Sequence, residues 1–129
     1  MGRKFTVPYA LYRCHGFFNP TLAEKTLFEA EDFELLKRAL NEMFEVDHSA
    51  ARGQMAPVRC IAFRHENKLG NARADELFSL ITVEKQPELL AENRPARSSR
   101  DYAICISDDL PQGITVEEWV NVRSTAAKA

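Results

Sequence analysis

No apolar run in this sequence approaches the roughly 20 residues that a membrane-spanning helix needs. A membrane protein of that kind is therefore not expected. Residues 1–19 hold Arg3, Lys4 and Arg13 and no acid, yet no apolar stretch of the kind found in a secretory leader follows them. A cytoplasmic location is expected. Cysteine is scarce: Cys14, Cys60 and Cys105 are three, an odd number, with no CxxC among them. That argues against a disulfide framework. Glycine is scarce too, and Gly53, Gly70 and Gly113 form neither GxGxxG nor a Walker pattern, so nucleotide hydrolysis has no support. Structural zinc sites take ligand pairs spaced by two to four residues. Cys14, His15, Cys60, His65 and Cys105 lack that spacing, and each cysteine falls in a separate predicted strand, where it serves as a small buried hydrophobe. No metal or other cofactor is expected. Cys14 and His15 are neighbours on a predicted strand and would point to opposite faces, so they do not form a nucleophile–base pair. Without a nameable set of catalytic roles, the chain is not expected to be an enzyme.

What is present is ordinary globular composition. The chain has 129 residues, 45% apolar and 28% charged. That length fits one domain able to bury its own core without a staple. A single α+β domain is expected over 1–122, with 123–129 a flexible tail. The formal net charge is only −2, but it is unevenly spread. Residues 20–50 carry eight acids against three bases, whereas 51–73 carry five bases against one acid and 93–100 carry three arginines and no acid. Such basic islands are what a phosphate backbone would meet.

Period-two alternation and β-favouring residues predict a strand over 5–18, with Pro8 near its start. Asn19-Pro20 breaks it, and Pro20 opens a short helix, TLAEKT. Phe33, Leu36, Leu40, Met43 and Phe44 form one apolar stripe, which predicts a helix from about Glu31 to Val46. Further strands are predicted at 58–65, 102–107 and 114–122, and a short helix at about 74–80. Residues 86–100 read as a long loop. The order predicts an α+β fold with a small sheet and the long helix packed on one face.

The basic islands comprise Arg52, Arg59, Arg64, Lys68 and Arg73, then Arg94, Arg97 and Arg100. Tyr9, Tyr12, Phe17, Phe18 and Phe63 lie near them in sequence. Exposed aromatics on a sheet flanked by arginines hold single-stranded RNA in RRM-type domains. On the residues alone, phosphate contact and plain solvated charge both stay open, and the aromatics serve equally as core.

Four strings carry a family resemblance. They are YALYRCHGFFNPTLAEKT at 9–26, EDFELLKRALNEMFEVDHSAARGQM at 31–55, FRHENKLGNARADELFSLI at 63–81 and RDYAICISDDLPQGITVEEWV at 100–120. Together they resemble the type I-C CRISPR backbone subunit, the Cas-seven family of the Cascade surveillance complex, from about Val7 to Val120. The resemblance implies a partial RRM-like (ferredoxin-like) antiparallel sheet, with strands 7–18 and 58–65 inside it and one long amphipathic helix, 31–46, packed on a face. It implies RNA or partner contact first at Arg52, in SAARG, and Lys68, in NKLGN, then at Arg13 and His15, in YRCHGF. Arg64 and Arg97 join them from the basic islands.

The sequence also departs from the family pattern. The match is expected to cover the family's C-terminal portion only, without its N-terminal portion; Pro57-Val58-Arg59-Cys60 stands where a small, glycine-containing strand entry is expected, and Glu29 where a capping serine is expected. The resulting expectation is a truncated relative that docks on type I-C Cascade subunits, backbone or large, and inhibits interference as a decoy. The alternatives are an RNA-binding backbone component holding crRNA, and a non-catalytic interaction protein repurposed from the same fold.

Overall fold

The computed structural model describes residues 2–47, 49 and 53–121. Their helices and strands alternate as α1 (Pro20–Thr26), α2 (Ala30–Val46), β1 (Arg59–His65), α3 (Ala74–Ser79), β2 (Ile81–Lys85), α4 (Pro87–Ala91), a 3-10 turn (Ser99–Asp101), β3 (Tyr102–Ile106) and β4 (Ile114–Asn121). The fold is α+β with small antiparallel sheets, in keeping with a partial ferredoxin-like arrangement. The described residues fall into two compact units. One lies within Met1–Gly16 and Arg73–Leu110, the other within Phe17–Ala72 and Pro111–Ala129. The tail expected at 123–129, like Arg52, lies outside the described residues.

In the second unit, α1 begins because Asn19 caps it. The Asn19 side-chain oxygen accepts the Thr21 N–H at 2.9 Å and the Leu22 N–H at 3.4 Å, and Pro20 needs no partner at the first position. Leu27 ends it in the left-handed conformation, φ 57°, and Phe28 N–H returns to the Ala23 carbonyl at 2.9 Å. The α2 helix starts with the Asp32 carboxylate accepting the Glu29 N–H at 2.8 Å, the N3 half of a capping box.

β1 pairs with β4, and the register shifts between Cys60 and Ile61. Cys60 faces Val120 and Ile61 faces Glu118, leaving Trp119 without an opposite residue. The extra residue lies on β4, and half-burial runs along β1 from Arg59 to Phe63 without the strict alternation expected there. Trp119 meets Phe33 of α2 edge to face at 5.2 Å, and Phe33 in turn meets Phe18 at 5.1 Å. This aromatic seam is how the long helix packs on the sheet face, as expected.

The turn from β1 is closed around Asn71. Its side-chain oxygen accepts N–H groups from Glu66 and Asn67 at 2.9 and 3.2 Å, and its own N–H donates to His65 Nδ1 at 2.9 Å. Gly113, at φ +80°, opens β4 against this side chain, and a β-carbon there would collide with Asn71.

In the first unit, β2 pairs with β3 from Ile81↔Ile106 to Lys85↔Tyr102. The β2 strand was not expected: its residues do alternate, Ile81 and Val83 inward against Thr82 and Glu84, but the run is only five residues long and follows α3 directly. The predicted loop at 86–100 also holds α4 and the start of the 3-10 turn. A larger correction concerns residues 5–18. They form no strand; the described residues 2–18 carry no regular element. Period-two patterning makes a segment fit for a sheet but does not supply the ladder that holds it there. Here side chains hold it instead. Arg13 donates to the Ile81 and Phe78 carbonyls at 3.0 and 2.6 Å, and the Tyr9 and Tyr102 rings lie 6.4 Å apart.

Burial is thin. Among the described residues only Leu77, Ala96, Ile114 and Val120 are buried apolar side chains. Phe5, Val7, Tyr12, Phe17, Leu27, Val46 and Leu69 are each at least 74% exposed.

Candidate nucleic-acid interface

The candidate cations fall on different supports. In the second unit, Arg64 leaves the solvent side of β1 and is 75% exposed, with Nη1 3.3 Å from Glu117 Oε1 on β4. The Trp119 indole N–H donates to the other Glu117 oxygen at 3.1 Å. This hydrogen bond holds the Glu117 carboxyl below its ordinary range, against a smaller desolvation effect and with help from Arg64 and Lys37. Arg59, on the same strand, pairs with Glu118. Lys68 stands in the turn after β1 and pairs with Glu24 of α1, both side chains remaining well exposed. Exposed pairs of this kind cost little to exchange for another anion. Lys68 is therefore available to phosphate from the turn after β1, while the exposed Arg64 at the end of β1 leans on the half-buried Glu117.

Arg13 and His15, both exposed, each find a partner within the first unit. The Arg13 guanidinium is spent on two backbone carbonyls, and the His15 ring stacks on Phe78 at 4.0 Å with the planes 5° apart. Both side chains fasten the N-terminal segment to α3 and β2. Their partners lie more than 60 residues away in the chain, so this fastening role was not legible in the sequence.

Arg97 lines a shallow cleft of about 340 Å³ with Leu89, Arg94, Pro95 and Asp101. Asp101 shapes it by accepting backbone N–H groups from Arg97 at 2.8 Å and Ser98 at 3.0 Å. The Arg97 N–H is the main reason that the Asp101 carboxyl lies below its ordinary range; desolvation opposes this, while Ser98 and the Arg94 charge add to it. Arg94 pairs with Glu92 at the cleft. The organising role of Asp101 was not legible beforehand, since its partners are main-chain groups.

Of the aromatics near the basic islands, Tyr12 and Phe17 are 77% and 78% exposed, whereas Phe18 belongs to the seam with Phe28 and Phe33. Cys14 and Cys105 are exposed free thiols, and burial pushes the half-buried Cys60 thiol up, which makes it a poorer nucleophile. Among the described residues no group of three or more His, Cys, Asp or Glu side chains is placed to hold a metal ion. Nor, among them, is any helix long and apolar enough to cross a membrane.

A known family matches this chain over residues 1–107, and its description is CRISPR-associated protein Cas7. The matched stretch runs from the N-terminal segment through β3. Comparison with curated proteins finds no match.

Proposed function

The chain belongs to the CRISPR-associated Cas7 family, and on that premise we propose that it is a non-catalytic assembly subunit of a type I-C Cascade, working in the cytoplasm. It docks on other effector subunits through its apolar surface and meets crRNA with Arg64, Lys68 and Arg97, with Arg52 adding a further cation. The observation that carries this reading is the imbalance of burial. Among the described residues four apolar side chains are buried, while large apolar ones from Phe5 to Leu90 stand exposed in both units. Isolated soluble domains rarely present so much apolar surface unless another macromolecule covers it. Phosphate contact is supported by two exposed cations, Lys68, paired with the exposed Glu24, and Arg64, paired with the half-buried Glu117.

A second reading has its own support. The same cations already have carboxylate partners, so the chain is able to dock on Cascade subunits without gripping RNA, as an inhibitory decoy would. An interference assay in a type I-C host separates the two. A working subunit leaves interference intact when added and restores it when the resident backbone subunit is depleted. A decoy restores phage infection when expressed. If the chain changes neither depleted nor intact cells, both readings fail.

A further inference from the structure

We propose that the outward face of α2 is a docking surface for an amphipathic helix of a partner protein whose apolar stripe is flanked by lysine or arginine. This deepens the assembly-subunit reading and rests on it. The α2 helix has two apolar faces, and its own unit uses one. Phe33, Lys37, Leu40 and Phe44, spaced i, i+4, i+7 and i+11, are the half-buried set, with Phe33 against Trp119 and the Lys37 ammonium over both rings at 5.1 and 5.4 Å. Leu35, Ala39, Met43 and Val46, spaced i, i+4, i+8 and i+11, form a second stripe. Leu35 is 62%, Met43 42% and Val46 85% exposed, and Leu36, 39% exposed, extends the stripe sideways. A helix built only to cover its own sheet has no use for that stripe.

The rim of the stripe selects the occupant. Glu31 lies one turn before Leu35, Asp32 one turn before Leu36, and Glu42 one turn before Val46. The helix as a whole carries five acids and two bases, and one of those bases, Lys37, is turned to the inner seam. The other, Arg38, reaches Glu42 at 3.4 Å across exposed surface, a pair easily exchanged. An acidic rim repels RNA phosphates and anionic lipid headgroups alike. It attracts a helix that offers leucine-like side chains between basic ones. Seventeen residues span about 25 Å, enough for several turns of such a helix to lie alongside.

The test uses the full chain and two synthetic helical peptides with the same leucine stripe, one lysine-flanked and one glutamate-flanked, followed by fluorescence anisotropy. The lysine-flanked peptide is expected to bind, to weaken with salt, and to lose about tenfold or more in affinity to the Leu35→Asp, Met43→Asp chain. Both substitutions are at exposed positions, and helicity and thermal midpoint should hold. Because those changes add charge inside the stripe, Glu31→Lys with Glu42→Lys is the second variant. It should shift the preference to the glutamate-flanked peptide. Equal binding of the two peptides, no binding, or binding untouched by either variant overturns the proposal. So does a stripe-dependent association with poly(U) RNA, with phosphatidylglycerol vesicles, or between copies of this chain. Co-purification with Cascade subunits distinguishes the levels. If the unaltered chain and the Leu35→Asp, Met43→Asp chain both co-purify, the α2 surface alone is wrong. If the unaltered chain does not co-purify, the assembly reading is wrong, and the peptide result still decides the surface.

Discussion

Phe33 on α2 and Trp119 on β4 meet edge to face with ring centroids 5.2 Å apart and planes at 89°. The contact joins a helix to the one residue of β4 that the ladder leaves without an opposite. The aromatic seam and the bulge therefore coincide at Trp119. Truncating Trp119 to alanine should destabilise the second unit by about 2 kcal/mol, below the usual cost for a fully buried aromatic because this one is half-exposed. A double-mutant cycle with Phe33→Ala should return a coupling of about 1 kcal/mol in urea unfolding. Strict additivity would mean that the rings only share a neighbourhood.

Gly113→Ala should destabilise the β1–β4 pair by about 2 kcal/mol, because a left-handed backbone and a collision with Asn71 act together. Adding Asn71→Ala removes the collision but also the acceptor for Glu66 and Asn67, so the double variant should recover none of the loss. Thermal melts of the two variants decide this, and a stable Gly113→Ala chain would contradict the turn geometry.

Most of α1, α2, β1, α3 and β4 was readable from the sequence, because each has a local signal. Pro20 after Asn19, the α2 stripe and the β-branched run in β4 need no distant partner to be recognised. Residues 5–18 have an equally clear local signal and form no strand, since whether a fit segment finds a ladder is a non-local matter. The candidate site divides the same way. The exposed positions of Arg64 and Lys68 were legible, but their carboxylate partners are 53 and 44 residues away in the chain. The carbonyl partners of Arg13 were hidden for that same reason: backbone groups at Phe78 and Ile81 leave no trace in a charge pattern.

Arg13 and Arg64 should accordingly separate in their effects. Arg13→Ala should speed hydrogen exchange and proteolysis in residues 9–16 while leaving the salt dependence of crRNA binding unchanged. Arg13→Lys should restore little, since an ammonium lacks the planar fork that spans two carbonyls. In contrast, Arg64→Ala and Lys68→Ala should each lower the log–log salt slope of crRNA binding by about 1. Glu24→Gln should raise the affinity by freeing Lys68. A gel shift over a salt series reads the crRNA outcomes, and hydrogen exchange with limited proteolysis reads the two Arg13 variants.

The Asp101 carboxyl lies below its ordinary range in the folded chain, mainly through the Arg97 N–H. A depressed folded value contributes stability above the unfolded carboxylate value of about 3.9 and loses it as pH falls through the folded value. Asp101→Asn should therefore lower the melting temperature of the first unit at pH 7, and the gap to the unaltered chain should close below about pH 4. A gap that stays constant from pH 7 to pH 3 would assign the loss to packing rather than to the charge.

The central claim is that the exposed apolar surface belongs inside a CRISPR effector. Co-expression of the tagged chain with the type I-C Cascade subunits and crRNA, followed by native mass measurement of the purified material, tests it most directly. The account predicts a particle whose mass includes this chain together with other effector subunits. Recovery of the chain by itself, with the effector assembling fully in the same cells and without it, would contradict that claim.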